Sequence, residues 1–182
     1  MSFVHLHVHS QYSLLEATTR FPDLTQKAVE WGMPAIALTD NGNMYGAIEF
    51  YFACKAAGIK AIIGMDAYLA PKGRLVKGEG RDAVAKPNTR LVLLAQDFAG
   101  YQNLCKISTI GFQEGFYYKP RVDYEILEKY GANLIALSGG LRGDVPFEFT
   151  DQGRDAALAK INRLKGIFQD RFYLELCRTG NA

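Results

Sequence analysis

The residues best suited to chemistry are three histidines, all of which lie within the first nine positions of the 182-residue chain. His5, His7 and His9 alternate with apolar residues, and alternate residues of an extended strand share one face. This spacing therefore predicts that the three imidazoles line up on one side of a strand. Imidazole is a common neutral ligand for zinc, manganese or iron, so the pattern favours a metal site. A single histidine in such a strand would more often be a packed core residue.

Carboxylates that could complete a metal site follow other apolar segments. Glu16 lies just beyond the histidines, Asp40 follows the run at 35–39, and Asp66 lies within the run at 61–69. Each acid taken singly is typical of a helix cap or a surface residue. Together with the imidazoles, the carboxylates could hold divalent ions that activate water against a phosphoester. The sequence has no Gly-rich phosphate loop and no Gly-x-Ser-x-Gly motif to suggest a competing chemistry.

The elements that must position these residues alternate between short apolar runs and segments with helical spacing. The predicted strands are 3–7, 35–39, 61–69, 90–95, 133–137 and 171–177. Apolar residues at helical spacing lie between most of them, as at Leu24, Ala28 and Trp31. The alternation predicts an α/β fold with parallel strand pairing, either an open doubly wound sheet or an incomplete (β/α) barrel. In both architectures functional residues gather at the carboxyl ends of the strands.

Composition is that of a globular domain without a strong overall charge. Hydrophobic residues make up 48% of the chain and charged residues 22%, with a formal net charge of +2. The length fits a single domain over residues 1–182, and composition alone does not indicate a nucleic-acid binder. Cys54, Cys105 and Cys177 are far apart in apolar surroundings, which predicts reduced core cysteines of a cytoplasmic protein. We expect neither a secretion signal nor a membrane span.

Residues 71–88 interrupt the alternation with a segment rich in charge, glycine and proline. It contains five basic and two acidic residues, which leaves a local excess of three positive charges. The basic residues are Lys72, Arg74, Lys77, Arg81 and Lys86, and the acidic residues are Glu79 and Asp82. We predict an exposed, solvated loop; the alternative is a contact with a phosphate backbone or a partner protein.

Several stretches resemble one family. Residues 3–10 read Phe-Val-His-Leu-His-Val-His-Ser and residues 12–15 read Tyr-Ser-Leu-Leu. They resemble the opening of the PHP (polymerase and histidinol phosphatase) family, in the form found at the amino terminus of bacterial replicative DNA polymerases. Leu-Thr-Asp-Asn-Gly-Asn-Met-Tyr-Gly at 38–46, Gly-Tyr-Gln-Asn-Leu at 100–104 and Phe-Tyr-Leu-Glu-Leu at 172–176 extend the resemblance over essentially the whole chain.

The resemblance implies a distorted seven-stranded (β/α) barrel with up to three metal ions at the carboxyl ends of its strands. About six of those strands fall within this chain, and the last is expected after residue 182. The metal ligands carried over are His7 and His9, Glu16 where the family commonly has Asp, and Asp66 where it commonly has Glu. Asp40 and His5 match positions that we expect to orient these ligands rather than to bind an ion.

Three positions depart from the pattern of the metal-binding members. Asn41 and Arg90 stand where those members carry His, and Gly140 stands where they carry Cys. Arg90 is the largest change, because it places a permanent cation where a ligand is expected. Our hypothesis is that Arg90 pairs with Asp66 or Glu16 and replaces a missing ion electrostatically.

The resemblance therefore implies a mainly structural domain of a bacterial, cytoplasmic DNA-directed DNA polymerase. The implied partners are the rest of the polymerase α subunit, the proofreading exonuclease subunit and DNA. The alternatives are an active metal-dependent 3′–5′ exonuclease or phosphoesterase and, third, a stand-alone phosphatase. The departures favour the structural role, with zinc, manganese or magnesium at reduced occupancy or no metal at all. Nucleotidyl transfer is not expected within these residues, since they contain no Asp-x-Asp pair.

Overall fold

The computed structural model describes residues 3–77 and 87–177, and within them a mixed six-stranded sheet is combined with six α-helices. The strands are β1 Ala35–Leu38, β2 Lys60–Leu69, β3 Thr89–Ala95, β4 Arg121–Val122, β5 Leu134–Leu137 and β6 Phe172–Tyr173. The helices are α1 Phe21–Glu30, α2 Ala47–Ala57, α3 Phe98–Gln113, α4 Tyr124–Tyr130, α5 Asp144–Gln152 and α6 Arg154–Phe168. The predicted α/β class is confirmed, as is the number of strands.

The strand order is β1-β2-β3-β5-β6, and the short β4 pairs with the end of β2. The prediction of parallel pairing is wrong at β3, which runs antiparallel to both β2 and β5. The pairs β1–β2, β2–β4 and β5–β6 are parallel. A parallel return needs a long crossover, usually a helix, whereas an antiparallel return needs none. The described part of the connection from β2 to β3 contains no helix, in keeping with the antiparallel return.

The predicted strand at 3–7 is not a regular strand. This segment lies beside β1, where the amide of Ala37 donates to the carbonyl of His5 at 2.9 Å. The amide of Thr39 likewise donates to the carbonyl of Val8 at 2.8 Å, and the Thr39 hydroxyl accepts from the amide of Val8 at 2.9 Å. The histidine segment is therefore fixed to the edge of β1 by few backbone bonds, and the sixth strand is β4 instead.

Two large apolar clusters meet at β2. The first packs β2, β3 and β5 against α3, α4 and α6, and includes Leu93, Leu104, Leu134 and Phe168, all fully buried. The second packs β1 against α1 and α2, and Cys54 is buried within it. Each fully buried leucine or phenylalanine side chain stabilises the fold by about 1.5–3 kcal/mol.

The three cysteines are not paired with one another. Cys54 is buried as predicted, and Cys105 is partly buried. Cys177 is exposed, which corrects the prediction that all three lie in the core. It follows β6, where the chain has left the sheet, so its apolar neighbours in sequence do not bury it.

The loop predicted at 71–88 is described only up to residue 77 and from residue 87, and residues 78–86 lie outside the described part. Lys72 and Lys77 are exposed, as expected of a solvated loop. Arg74 departs from that expectation, because only 7% of it is exposed. Its guanidinium lies 3.1 Å from a carboxylate oxygen of Asp123 and 2.9 Å from one of Glu125.

A second buried arginine fixes the same segment. Arg121 of β4 donates to the carbonyls of Arg74 at 2.9 Å, Val76 at 3.1 Å and Gly115 at 2.9 Å. The start of the loop is therefore anchored by two arginines whose donors are satisfied inside the fold.

None of the helices in the described ranges is long and apolar enough to cross a membrane.

Candidate metal centre

The histidine segment and β2 bring two of the three histidines to one carboxylate. His7 Nε2 and His9 Nε2 each lie 3.4 Å from Asp66 Oδ2. The candidate ligand atoms of these three residues all lie within 4.8 Å of one another. Of the four predicted ligands, these three are brought together.

Glu175 orients His7 from the opposite side. Its Oε1 lies 2.7 Å from His7 Nδ1, and its own amide donates to the hydroxyl of Ser138 at 2.9 Å. A carboxylate on the outer nitrogen of a histidine fixes the ring so that the other nitrogen faces the site. Sequence reasoning missed this role, although Glu175 lies in the last predicted strand, where a strand-end carboxylate could have been noted.

The electrostatics of His7 follow from its two acidic neighbours. Burial lowers the pKa of His7, but hydrogen bonds to Asp66 and Glu175, together with their charges, raise it overall to about 9. Burial also opposes ionisation of Asp66, yet its bond to His7 and the charge of Arg90 hold its pKa below the usual range. Asp66 is therefore ionised at neutral pH and available as an anionic ligand.

Three polar atoms around this group are buried and have no hydrogen-bond partner among the described residues. They are His9 Nε2, Asp66 Oδ1 and Glu175 Oε2. A buried polar atom without a partner costs about 1–3 kcal/mol, so such atoms are rare in folded proteins. Two imidazoles with one or two carboxylates form a donor set suited to a single zinc or manganese ion. The residues present therefore fit one divalent ion.

Arg90 fills the adjoining part of the site. It lies in β3 opposite Tyr68, and its guanidinium carbon is 3.9 Å from the centre of the Tyr68 ring. Its Nη1 donates to Asn41 Oδ1 and to Asp66 Oδ2, the latter at 3.2 Å. Its Nη2 donates to Glu16 Oε2 at 3.4 Å. The guanidinium thus lies among the side chains that the sequence suggested as ligands or former ligands.

Glu16 lies among cations instead of with the histidines. Its Oε2 accepts a hydrogen bond from the side-chain Nδ2 of Asn41 at 2.9 Å. Lys119 Nζ lies 3.6 Å from Glu16 Oε1, and Arg142 Nη1 lies 4.0 Å from Glu16 Oε2. Glu16 is therefore outside the group formed by His7, His9 and Asp66, and it neutralises basic side chains.

Asp40 holds the loop that follows the histidines. Its carboxylate accepts from the Ser10 amide at 2.7 Å, the Ser10 hydroxyl at 2.8 Å and the Ser13 hydroxyl at 2.7 Å. Its backbone carbonyl accepts from the amide of Asp66 at 3.0 Å. Asp40 thereby connects the loop after His9 to the strand that carries Asp66.

His5 and Gly140 supply no ligand to the histidine–carboxylate group. The His5 ring lies against Phe3 and Trp31, with ring centres 4.8 and 6.5 Å apart. The three imidazoles therefore do not share one face, because the segment that carries them is not a regular strand. Gly140 has a φ of +57°, and a Cβ built there would lie 2.9 Å from Cys177 Sγ. A side chain at residue 140 would need that neighbour to move.

Comparison with known proteins gives consistent matches. The family model described as the PHP domain matches residues 5–179. The chain is 45% identical over 177 residues to DNA polymerase III subunit alpha of Aquifex aeolicus and 44% identical over 178 residues to that of Borreliella burgdorferi. It is 42% identical over 184 residues to that of Thermus aquaticus. These matches cover 96–99% of this chain but only 15% of each relative.

Proposed function

The chain belongs to the PHP domain family, and we propose that it is the PHP domain of a bacterial replicative DNA polymerase α subunit with a mainly structural role. The observation that carries the structural role is the buried position of Arg90. The proposal places the polymerizing site outside residues 1–182.

Arg90 acts against a cluster of several metal ions for an electrostatic reason. A guanidinium stays protonated at any physiological pH, so it cannot become a metal ligand by losing a proton. It also engages Asp66 and Glu16, the two acids that a second ion would need. A cation brought beside this group would meet a like charge in a poorly solvated place. Arg90 therefore stands in for an ion and holds the surrounding elements together.

The size of the relatives supports a contact with the rest of the subunit. Because the chain spans only 15% of the length of the polymerase subunits it matches, most of such a subunit would lie outside it. We propose that the domain packs against the rest of the α subunit, in a cytoplasmic complex that also contains the proofreading exonuclease subunit and DNA.

A second function is favoured by His7, His9 and Asp66. These residues would hold one divalent ion, with Glu175 orienting His7. When bound, such an ion would activate a water molecule or polarise a phosphoester. A 3′–5′ exonuclease or phosphoesterase would then act with a single ion, which is fewer than the family pattern provides.

Metal analysis of the purified chain, paired with a hydrolysis assay, separates the two functions. After incubation with Zn²⁺ or Mn²⁺ and gel filtration, we expect at most one ion per chain. We expect no hydrolysis of an end-labelled oligonucleotide above the level of the His7→Ala variant. His5→Ala is the matched control, because His5 lies outside the site. Stoichiometric metal together with hydrolysis that disappears in His7→Ala, but not in His5→Ala, would overturn the structural role.

A further inference from the structure

We propose that the outer face of α2 pairs two copies of this chain, with the two α2 helices side by side and parallel. The outer face is the set of side chains on the same side of the helix as Phe52. Its members are Tyr45, Ile48, Glu49, Phe52, Lys55 and Ala56. This inference goes beyond the proposed structural role and does not depend on it, because pairing requires neither a metal ion nor the rest of a polymerase.

α2 is apolar on both of its sides. Its inner side packs against α1 and β2, and Phe50 and Cys54 on that side are fully buried. On the outer face, Ile48 and Phe52 are each 60% exposed. A helix at the surface of a protein usually turns polar residues to solvent, whereas a helix that is apolar all round is normally buried. The outer face of α2 is therefore suited to contact with another protein surface.

Neighbouring aromatic rings enlarge this apolar surface. The ring centres of Tyr51 and Phe52 are 5.5 Å apart. The ring centre of Tyr45 lies 5.9 Å from that of Phe112 in α3, and the Phe112 ring stacks on Phe116 at 6.2 Å. Tyr45, Tyr51 and Phe116 are 61%, 48% and 49% exposed. A contiguous exposed apolar surface of this kind is typical of protein–protein interaction sites.

The exposed apolar area is close to what a specific dimer needs. An aromatic side chain presents about 150–250 Å². The exposed fractions of the five large side chains therefore amount to roughly 500 Å² in each copy. These side chains are Tyr45, Ile48, Tyr51, Phe52 and Phe116. Pairing two copies would bury about 1,000 Å², near the lower limit for specific interfaces, so we expect a reversible dimer with a micromolar dissociation constant.

The charges on the outer face favour a second copy as the partner. α2 contains two charged residues, Glu49 and Lys55. They come three residues before and three residues after Phe52, which places them about 60° to either side of it around the helix. One edge of the outer face is therefore acidic and the other is basic. A copy of the same face can match both edges, whereas a partner of one charge sign can match only one.

The same two charges determine how the helices are oriented. In a parallel pair about a two-fold axis, the acidic edge of each helix meets the basic edge of the other, as at the e and g positions of a parallel coiled coil. In an antiparallel pair each edge would meet its own counterpart, which brings like charges to the same side. The Tyr12 hydroxyl donates to Glu49 Oε2 at 2.6 Å and holds this carboxylate at the edge of α2.

Sedimentation velocity of the chain tests the pairing. Between about 1 and 200 µM, the range that brackets a micromolar dissociation constant, we expect the mass to rise from that of a monomer to that of a dimer. Phe52→Ala removes one central ring from each copy, so we expect it to weaken pairing by at least about a hundredfold.

The matched control is Phe149→Ala. Phe149 is 58% exposed, almost as much as Phe52, but it lies in α5, which packs against α6. We expect this variant to pair as the unchanged chain does. Circular dichroism checks that each variant is folded.

Reversing the two charges tests the parallel arrangement. Glu49→Lys and Lys55→Glu each place like charges at both edges of a parallel pair, so each variant alone should pair about tenfold more weakly. An equimolar mixture of the two variants restores opposite charges at both edges. The mixture should therefore associate within about threefold of the unchanged chain.

The proposal is overturned if the chain stays monomeric over this range, which would leave the outer face to the rest of a longer polypeptide or to another protein. It also fails if Phe149→Ala weakens pairing as much as Phe52→Ala, or if the mixture pairs no better than its separate variants. If Phe52→Ala does not fold, the mixture decides the question. None of these measurements bears on metal content or hydrolysis, so this proposal and the structural role fail separately.

Discussion

At the scale of the residue, the buried guanidinium of Arg90 determines the chemistry of the site. Burying a charge costs several kcal/mol unless carboxylates compensate it, and here Asp66 and Glu16 do so. The sequence suggested these partners, because Arg90 stands where the family pattern has a metal ligand and could replace a missing ion beside the acids. It could not suggest Tyr68 beneath the guanidinium or Glu175 behind His7, since neither contact is encoded in local spacing.

Replacing Arg90 should test its structural role. Arg90→Ala leaves Asp66 buried without its cation, so we expect the free energy of unfolding to fall by about 3 kcal/mol. Urea denaturation followed by circular dichroism measures this change. Arg142→Ala is the control, because Arg142 is a largely exposed neighbour of the same Glu16 and should cost less than about 0.5 kcal/mol. Equal stability of the Arg90 variant and the unchanged chain contradicts the role.

At the scale of the element, strand and helix positions were easier to predict than strand directions. Runs of buried apolar residues marked β1, β2, β3 and β5 within one or two residues. The reversed direction of β3 was missed, because a strand buried on both faces looks the same in sequence whichever way it runs. The two-residue β4 was missed because it is too short to show a pattern.

The start of α4 offers a test of how the segment after β2 is anchored. Asp123 caps this helix by accepting from the amide of Ile126, and it also pairs with Arg74. Asp123→Asn keeps a capping oxygen and loses the charge, whereas Asp123→Ala loses both. We expect the alanine variant to be about 1 kcal/mol less stable than the asparagine variant in urea denaturation. Equal stabilities would mean that the cap contributes nothing.

Two glycines give opposite predictions for the same substitution. A Cβ at Gly64 of β2 would lie 2.5 Å from the carbonyl oxygen of Leu93, so Gly64→Ala should destabilise the fold by about 2 kcal/mol. A Cβ at Gly166 in α6 meets nothing within 4 Å, so Gly166→Ala should stabilise it by about 0.5–1 kcal/mol. Thermal unfolding of both variants checks the pair. If both variants changed the melting temperature in the same direction, the difference in space around the two glycines would not explain their effects.

At the scale of the whole molecule, β2 joins the two large apolar clusters. Met65, Ala67 and Leu69 pack in the first cluster, while Ala61 and Ile63 pack against the second. Neither cluster can lose this strand without exposing the other. The sequence predicted the strand, but it could not show which helices pack against each half of it, because that depends on the direction of β3.

Shared use of β2 predicts that the chain unfolds in one cooperative transition. Trp31 is the single tryptophan and follows α1, beside the second cluster, whereas circular dichroism reports on all helices and strands. The denaturant midpoints from tryptophan fluorescence and from circular dichroism should therefore coincide. An earlier transition in fluorescence would show that the cluster of α1 and α2 unfolds independently.

The contact between His7 and Glu175 has a consequence for the order in which the chain is made. The two residues are 168 positions apart. Almost the entire described chain must therefore be synthesised before the carboxylate that orients His7 exists. At a synthesis rate of about 5–20 residues per second, that interval is roughly ten to thirty seconds. During it, the histidine segment can be fixed to β1 by its backbone bonds, but its ion-binding geometry is incomplete. The site therefore cannot be completed before Glu175 has been synthesised.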